Sequence, residues 1–346
     1  MGRKNRKKYH KTLRQLAYER LHDMQAFGES KRLAKADGTA KYKIFSYATY
    51  TSYRKHINYY IDWLKRTHPE VTTLKAAKRY ARDWLEERAD QQDAQGRHLS
   101  AWTVQLEAAA LNKFFGIDKE DPERFIPPMR RREDIMRSRM TTERDKHFSV
   151  TNNAELINFC CGTGCRRNVL EKLEGRDLWT RQEMERELGV AEKRSPSDRN
   201  KADKKALEDA LCTFPEETVF IHHRSDKGGR SRYAPIVGPH KEQIIARMRD
   251  RNPEEKVWEH VHSAADVHGY RAEYATRVYR QYARKYDDIP YDRVYPGSGI
   301  RYKSEVYYCR KDERGRRLDK KAMQKASKAL GHNRICVIAD HYLRGL

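Results

Sequence analysis

The chain has 346 residues and a formal net charge of +23, from 73 Lys+Arg against 50 Asp+Glu. That length accommodates two domains and a small extra module. The basic excess calls for a polyanionic partner, nucleic acid ahead of an anionic membrane surface, and no apolar run approaches the ~20 residues that span a bilayer. The N-terminal Met1-Gly-Arg-Lys-Asn-Arg-Lys-Lys has no apolar stretch behind its charges. The expectation is therefore a cytoplasmic, nucleoid-associated protein with no membrane partner. Its six cysteines are too sparse for a disulfide scaffold. Cys160, Cys161 and Cys165 cluster, but no second Cys/His pair follows at zinc-ligand spacing, so they read as buried thiols rather than a metal site.

In chain order, residues 1–41 form a basic N-terminal segment. Leu13, Leu16, Ala17, Leu21 and Met24 recur at helical spacing, giving either a solvated helix packed on the next domain or a basic arm on DNA. Gly28 and Asp37-Gly38 make 28–42 a loop. Residues 42–117 read as a small all-helical domain. One helix carries Tyr50, Tyr53, Ile57, Tyr60, Ile61 and Leu64 on an apolar face. A second carries Leu74, Ala77, Tyr80, Ala81, Trp84 and Leu85 behind a Thr72 or Thr73 cap. A third runs from Ser100 through Val104, Ala108, Leu111 and Phe115. Residues 118–147 form a basic interdomain linker, broken by Pro122, Pro127 and Pro128 and holding five arginines between Met129 and Arg139. It suits either a clamp around a duplex or an exposed hinge.

The character changes at about Phe148. A helix capped by Thr151 is expected to end at Gly162-Thr163-Gly164, with a new one opening at Cys165-Arg166. Residues 180–212 read as a charged helical insertion on the surface. Thr218–His223 and Ser231–Val237 read as two strands joined by the turn Asp226-Lys227-Gly228-Gly229-Arg230. The remainder reads as helical, with a tyrosine-rich loop around 288–308. The fold class is thus mainly α with a small β-sheet.

Four stretches carry candidate chemistry. Arg166 at a helix start lies beside free backbone N–H donors, a phosphate locus. Lys227 tips a tight hairpin. His268 and Arg271, at i and i+3, share a helix face. Gly331-His332 precedes Tyr342. A phosphodiester transition state gathers negative charge on its equatorial oxygens, which paired guanidiniums and an imidazole N–H stabilise. Tyrosine, with an ordinary pKa of about 10, needs a cationic field or a base to act as a nucleophile. A lysine among cations is a suitable acid for a leaving alkoxide. No Asp/Glu cluster for a metal and no P-loop are evident, so no cofactor is expected.

Jointly and in this order, the stretches resemble the tyrosine recombinase family, the phage-integrase type of site-specific DNA recombinase. Thr163-Gly164-Cys165-Arg166, with Leu173 to Leu178, is similar to the first arginine box. Lys227-Gly-Gly-Arg-Ser-Arg232-Tyr-Ala-Pro235 is similar to the hairpin lysine stretch. His268-Gly-Tyr-Arg271 is similar to the second box, and Leu330-Gly331-His332 through Tyr342 to the third box and nucleophile. The resemblance covers about 42–346. It implies a helical core-binding domain (42–117) and an α+β catalytic domain (148–346), the latter with charged insertions near 180–212 and 277–329. It implies that Tyr342 attacks the scissile phosphate to form a 3′-phosphotyrosyl bond. Arg166 and Arg271 would hold the non-bridging oxygens, Lys227 would protonate the 5′-oxygen, His268 would assist proton transfer at the tyrosine, and His332 would donate to a phosphate oxygen. It also implies double-stranded DNA and a homo-tetramer on two sites as partners, with accessory DNA-bending or directionality proteins, and integration and excision of a mobile element as the role. Resolution of chromosome or plasmid dimers, type IB topoisomerase activity and a catalytically inactive DNA-binding regulator are the alternatives. Three departures stand out. The charged segment 180–212 and the stretch 277–329 are longer than in compact members of the family. The family's acidic residue three places after the first arginine is replaced by Val169, with Glu171 nearby. Only four residues follow Tyr342, so assembly contacts are expected from an insertion, and the terminal segment is expected to order on assembly.

Overall fold

In the computed structural model, the described residues are 11–130, 148–194, 197–226, 230–289, 304–309, 313–332 and 334–343. They fall into two compact units, divided between Ile135 and Met136.

The first unit is helical. Thr12 opens α1 (Leu13–Asp23) with a reciprocal cap to Gln15. Residues 28–42 hold more structure than a loop. Ser30 caps a short α2 (Lys31–Ala36), which buries Ala34, and a 3-10 turn covers Thr39–Tyr42. Ser46 caps α3 (Tyr47–Thr67), whose apolar stripe buries Tyr50, Ile57, Tyr60, Ile61 and Leu64. Thr73 caps α4 (Leu74–Arg79). The expected single helix is broken at Tyr80, which stacks on His68 at a centroid distance of 3.9 Å, and resumes as α5 (Ala81–Asp90). Ser100 caps α6 (Ala101–Phe115), closed by Gly116 in the left-handed region. Leu13, Ala17, Leu21 and Met24 of the α1 region share one core with Ile57, Tyr60, Trp84 and Leu111. α1 is therefore a packed member of this unit, which is the first of the two readings its pattern allowed.

The second unit is α plus a small antiparallel sheet. α7 (Ala154–Thr163) starts at Asn153 rather than Thr151, without a side-chain cap, and stops at Gly164 (φ 59°). α8 (Arg167–Leu170) follows with Arg166 as N-cap. β1 (Leu178–Thr180), β2 (Val219–Asp226) and β3 (Arg230–Pro235) form a sheet in that order, with Leu178 opposite Ile221, Ile221 opposite Ala234, and His223 opposite Arg232. Between β1 and β2 lie α9 (Arg181–Lys193) and α10 (Asp198–Thr213). These two helices are no surface appendage: Met184, Leu207, Ala210 and Phe214 pack with Phe220 and Tyr233 in one core. Val219, Ile221 and Ile236 face a second core with Phe159, Leu170 and Trp258. That core also takes Ile244, Ile245 and Met248 from α11 (Lys241–Arg249). Strand alternation thus sends one face of the sheet into each core.

α12 (Val267–Tyr282) runs behind β3, and its buried Tyr274 hydroxyl donates to the Pro235 carbonyl at 2.8 Å. A second ladder, β4 (Val306–Tyr308) with β5 (Arg317–Asp319), lies where helix or loop was expected. It leads into α13 (Lys320–Ala329), capped by Asp319, and then α14 (Ile335–His341). Among the described residues no helix is long and apolar enough to cross a membrane.

Candidate active site

The α7–α8 joint, β2, β3, α12, the end of α13 and α14 contribute to one basic centre. α7 ends at Gly164 because its backbone turns left-handed there. A Cβ at that position would lie 2.3 Å from the Tyr274 ring, so only glycine permits both the turn and the close packing. The turn delivers Arg166, whose Nη1 donates to the Asp226 carboxylate at the end of β2. Arg271 rises from the first turns of α12 and is fully buried, 0% exposed. Its Nη1 donates to the Gly164 carbonyl and its Nη2 to the Leu330 carbonyl at 3.2 Å. One guanidinium thus ties the C-terminal ends of α7 and α13, where helix carbonyls lack internal partners and the dipole favours a cation. Its Nε–H is buried without a hydrogen-bond partner among the described residues, a donor left for a ligand.

α13 ends at Leu330, and Gly331 (φ 73°) turns the chain so that His332 faces the same centre. His332 Nε2 lies 3.2 Å from the Tyr342 hydroxyl. Tyr342 stands half-buried at the end of α14, flanked by buried Ile338, Ala339 and Leu343. Ile338, Ala339 and Leu343 belong to the larger core, and Arg316 donates to the Leu343 carbonyl. His268 is exposed at the second residue of α12.

The electrostatics follow from this crowding. Burial, with Arg271, Arg166 and Arg232 nearby, pulls the His332 pKa down to about 4. Partial desolvation and Arg271 lower that of His268. Burial and Arg232 reduce even the Arg271 guanidinium to about 10. Cations here push on one another, and that strain is relieved by an anion.

Five of the six expected site residues are therefore described. Arg166, Arg271, His332 and Tyr342 are tied together by contacts or close electrostatic coupling, and His268 is coupled to Arg271 and Arg166. Lys227 lies outside the described residues. Sequence reasoning missed three neighbours: Asp226, His223 and Arg232. Arg232 Nε donates to Asp226 Oδ2 at 3.1 Å, and its Nη2 is 2.8 Å from His223 Nδ1. A signal was present, because Arg232 shares a strand face with buried Ala234, opposite His223 and Ile221. A pocket of about 140 Å³ opens here, lined by Arg166, Asp226, Arg232 and His332 together with Asp209 and Ala210 of α10.

The Cys160–Cys165 cluster is buried, and burial raises the Cys165 thiol to about 11. Among the described residues no three His, Cys, Asp or Glu side chains group to hold a metal. No protein-family model and no curated protein matches this chain.

Proposed function

We propose that the chain is a site-specific DNA recombinase of the tyrosine recombinase type. In this reading the first unit is the helical core-binding domain and the second is the catalytic domain. The observation that carries the proposal is the convergence of Arg166, the buried Arg271 and His332 beside the Tyr342 hydroxyl, with an Arg271 donor left unpartnered among the described residues. Such a set suits a phosphodiester with a tyrosine nucleophile.

Tyr342 Oη forms a bond to phosphorus and the bond from phosphorus to O5′ breaks. The phenol proton passes to a base and O5′ takes a proton from Lys227. The resemblance gives the base role to His268 and a phosphate-donor role to His332, but the 3.2 Å contact favours His332 as the tyrosine's partner. With a pKa of about 4, the imidazole is neutral at pH 7 and a weak base. A phosphate seated among the guanidiniums offsets their charge and raises that pKa, so the base strengthens when substrate binds. Rejoining reverses the step on another strand, and the phosphotyrosyl bond conserves the energy of the cleaved one. Integration and excision of a mobile element, by a tetramer on two sites, is the role this chemistry serves.

The test is a nicked suicide duplex library with single-turnover readout. A covalent protein–DNA adduct that disappears in Tyr342→Phe is expected. No adduct with any sequence in the library would overturn the proposal. Relaxation of plasmids lacking any defined site would replace it with a topoisomerase.

A further inference from the structure

Arg232 is the most connected side chain at this centre. Nε donates to Asp226, Nη1 to the Ala329 carbonyl, and Nη2 meets His223 Nδ1 at 2.8 Å. With each nitrogen already engaged inside the chain, it is a poor phosphate ligand and a good strut. Asp226 closes the other end, since its Oδ2 accepts from both Arg166 and Arg232. A line of contact therefore runs from Arg166 through Asp226 and Arg232 to the end of α13, three residues before His332. The pair is 3% and 9% exposed, so its geometry is held by low-dielectric attraction and by packing rather than by solvent-averaged contact. Gly331 records the passage: a Cβ there would lie 2.8 Å from Cδ and Nε of Arg232.

We propose that Asp226 and Arg232 act as one positioning pair, setting Arg166 and His332 at a fixed separation without touching the phosphate. The catalytic consequence rests on the phosphotyrosyl reading above, while the geometric part stands apart from it. Asp226 gives Arg166 the carboxylate partner that Val169, buried among apolar side chains, does not offer.

The experiment uses the full chain carrying Asp226→Asn, Arg232→Lys, Arg232→Gln or the double change Asp226→Asn/Arg232→Gln. Amide hydrogen exchange is read over 329–332 and 334–343, with α11 as internal reference. Exchange there is expected to quicken about tenfold in Arg232→Gln while α11 keeps its rate. In single-turnover cleavage at saturating DNA, each single change is expected to slow adduct formation about a hundredfold, as a misplacement of about 1 Å does. DNA affinity is expected to stay within about threefold, a loss in rate rather than binding. The double variant is expected to be no slower than the slower single one, because both changes cut the same line. Arg232→Lys keeps the charge but not the three-way fork, so it is expected to fail with Arg232→Gln.

Unchanged exchange together with unchanged rates in Asp226→Asn and Arg232→Lys overturns the proposal. So do multiplicative losses in the double variant, or faster cleavage by Asp226→Asn, which would mark the carboxylate as a competitor of phosphate. If the unmodified chain forms no adduct, the functional reading falls and the exchange data alone decide the strut. If Arg232→Gln does not fold, the two milder single variants carry both measurements.

Discussion

His332 shows how position alone can set a side chain's chemistry. An ordinary imidazole titrates near 6.5. Here burial and three guanidiniums hold it neutral down to about 4. We expect its resonance, followed by carbon-13 NMR, to titrate far below 6.5 in the free protein and to move upward when a DNA duplex binds. An imidazole titrating near 6.5 in both states would contradict the placement. Arg271 is the complementary case, a cation kept in the interior by two helix ends. Lysine could not span both carbonyls, so Arg271→Lys is expected to abolish adduct formation, not merely weaken it. Arg166, Arg271, His332 and Tyr342 stood out as candidates in the sequence because, on the phosphodiester reading, few other residue types serve in that order. Asp226, His223 and Arg232 offered only the weaker signal of a strand position. Their meaning is relational: each gains its role from a partner on another strand or helix, and a charged residue in a hairpin otherwise reads as solvated.

At the level of elements, local chemistry announced two helix starts. Thr73 and Ser100 each accept from a backbone N–H of the first turn. β1, β4 and β5 are three residues each, too short to show alternation, and exist through their pairing. The α9–α10 segment misled for a different reason: its charges outnumber the narrow stripe formed by Met184, Leu207 and Ala210, which is what it buries. The joint between α7 and α8 is sharply constrained, so Gly164→Ala is expected to cost about 2 kcal/mol or more, from left-handed backbone strain and collision with Tyr274. The measurement is a thermal melt, with a drop of several degrees. The hairpin carries a pH dependence as well. His222 stacks on Tyr233 at 4.3 Å and is 2.6 Å from Ser231 Oγ, and burial pulls its pKa down to about 4. The unfolded chain binds this proton at an ordinary pKa. Stability present above about pH 6.5 is therefore lost as pH falls towards 4. His222→Gln is expected to flatten the melting temperature over that interval.

The molecule as a whole is two units with separate cores, one around Tyr60 and Trp84 and the other on both faces of the sheet. Residues 148–346 expressed alone are expected to melt cooperatively, monitored by circular dichroism, because their apolar contacts are internal. If the chain binds DNA as proposed, its net charge of +23 and several phosphate contacts lead us to expect a steep loss of DNA affinity with salt, on the order of tenfold or more between 100 and 300 mM. A flat salt profile in an electrophoretic shift assay would contradict that. The docking of α14 has one more consequence. Tyr342 reaches His332 within its own chain, so on the proposed reading the nucleophile and the cations that serve it are inherited together. Complementation is then forbidden. A mixture of Tyr342→Phe subunits with Arg271→Ala subunits, each lacking one half of the chemistry, is expected to yield no adduct at all, whereas an exchanged tail would restore it in some of the mixed assemblies.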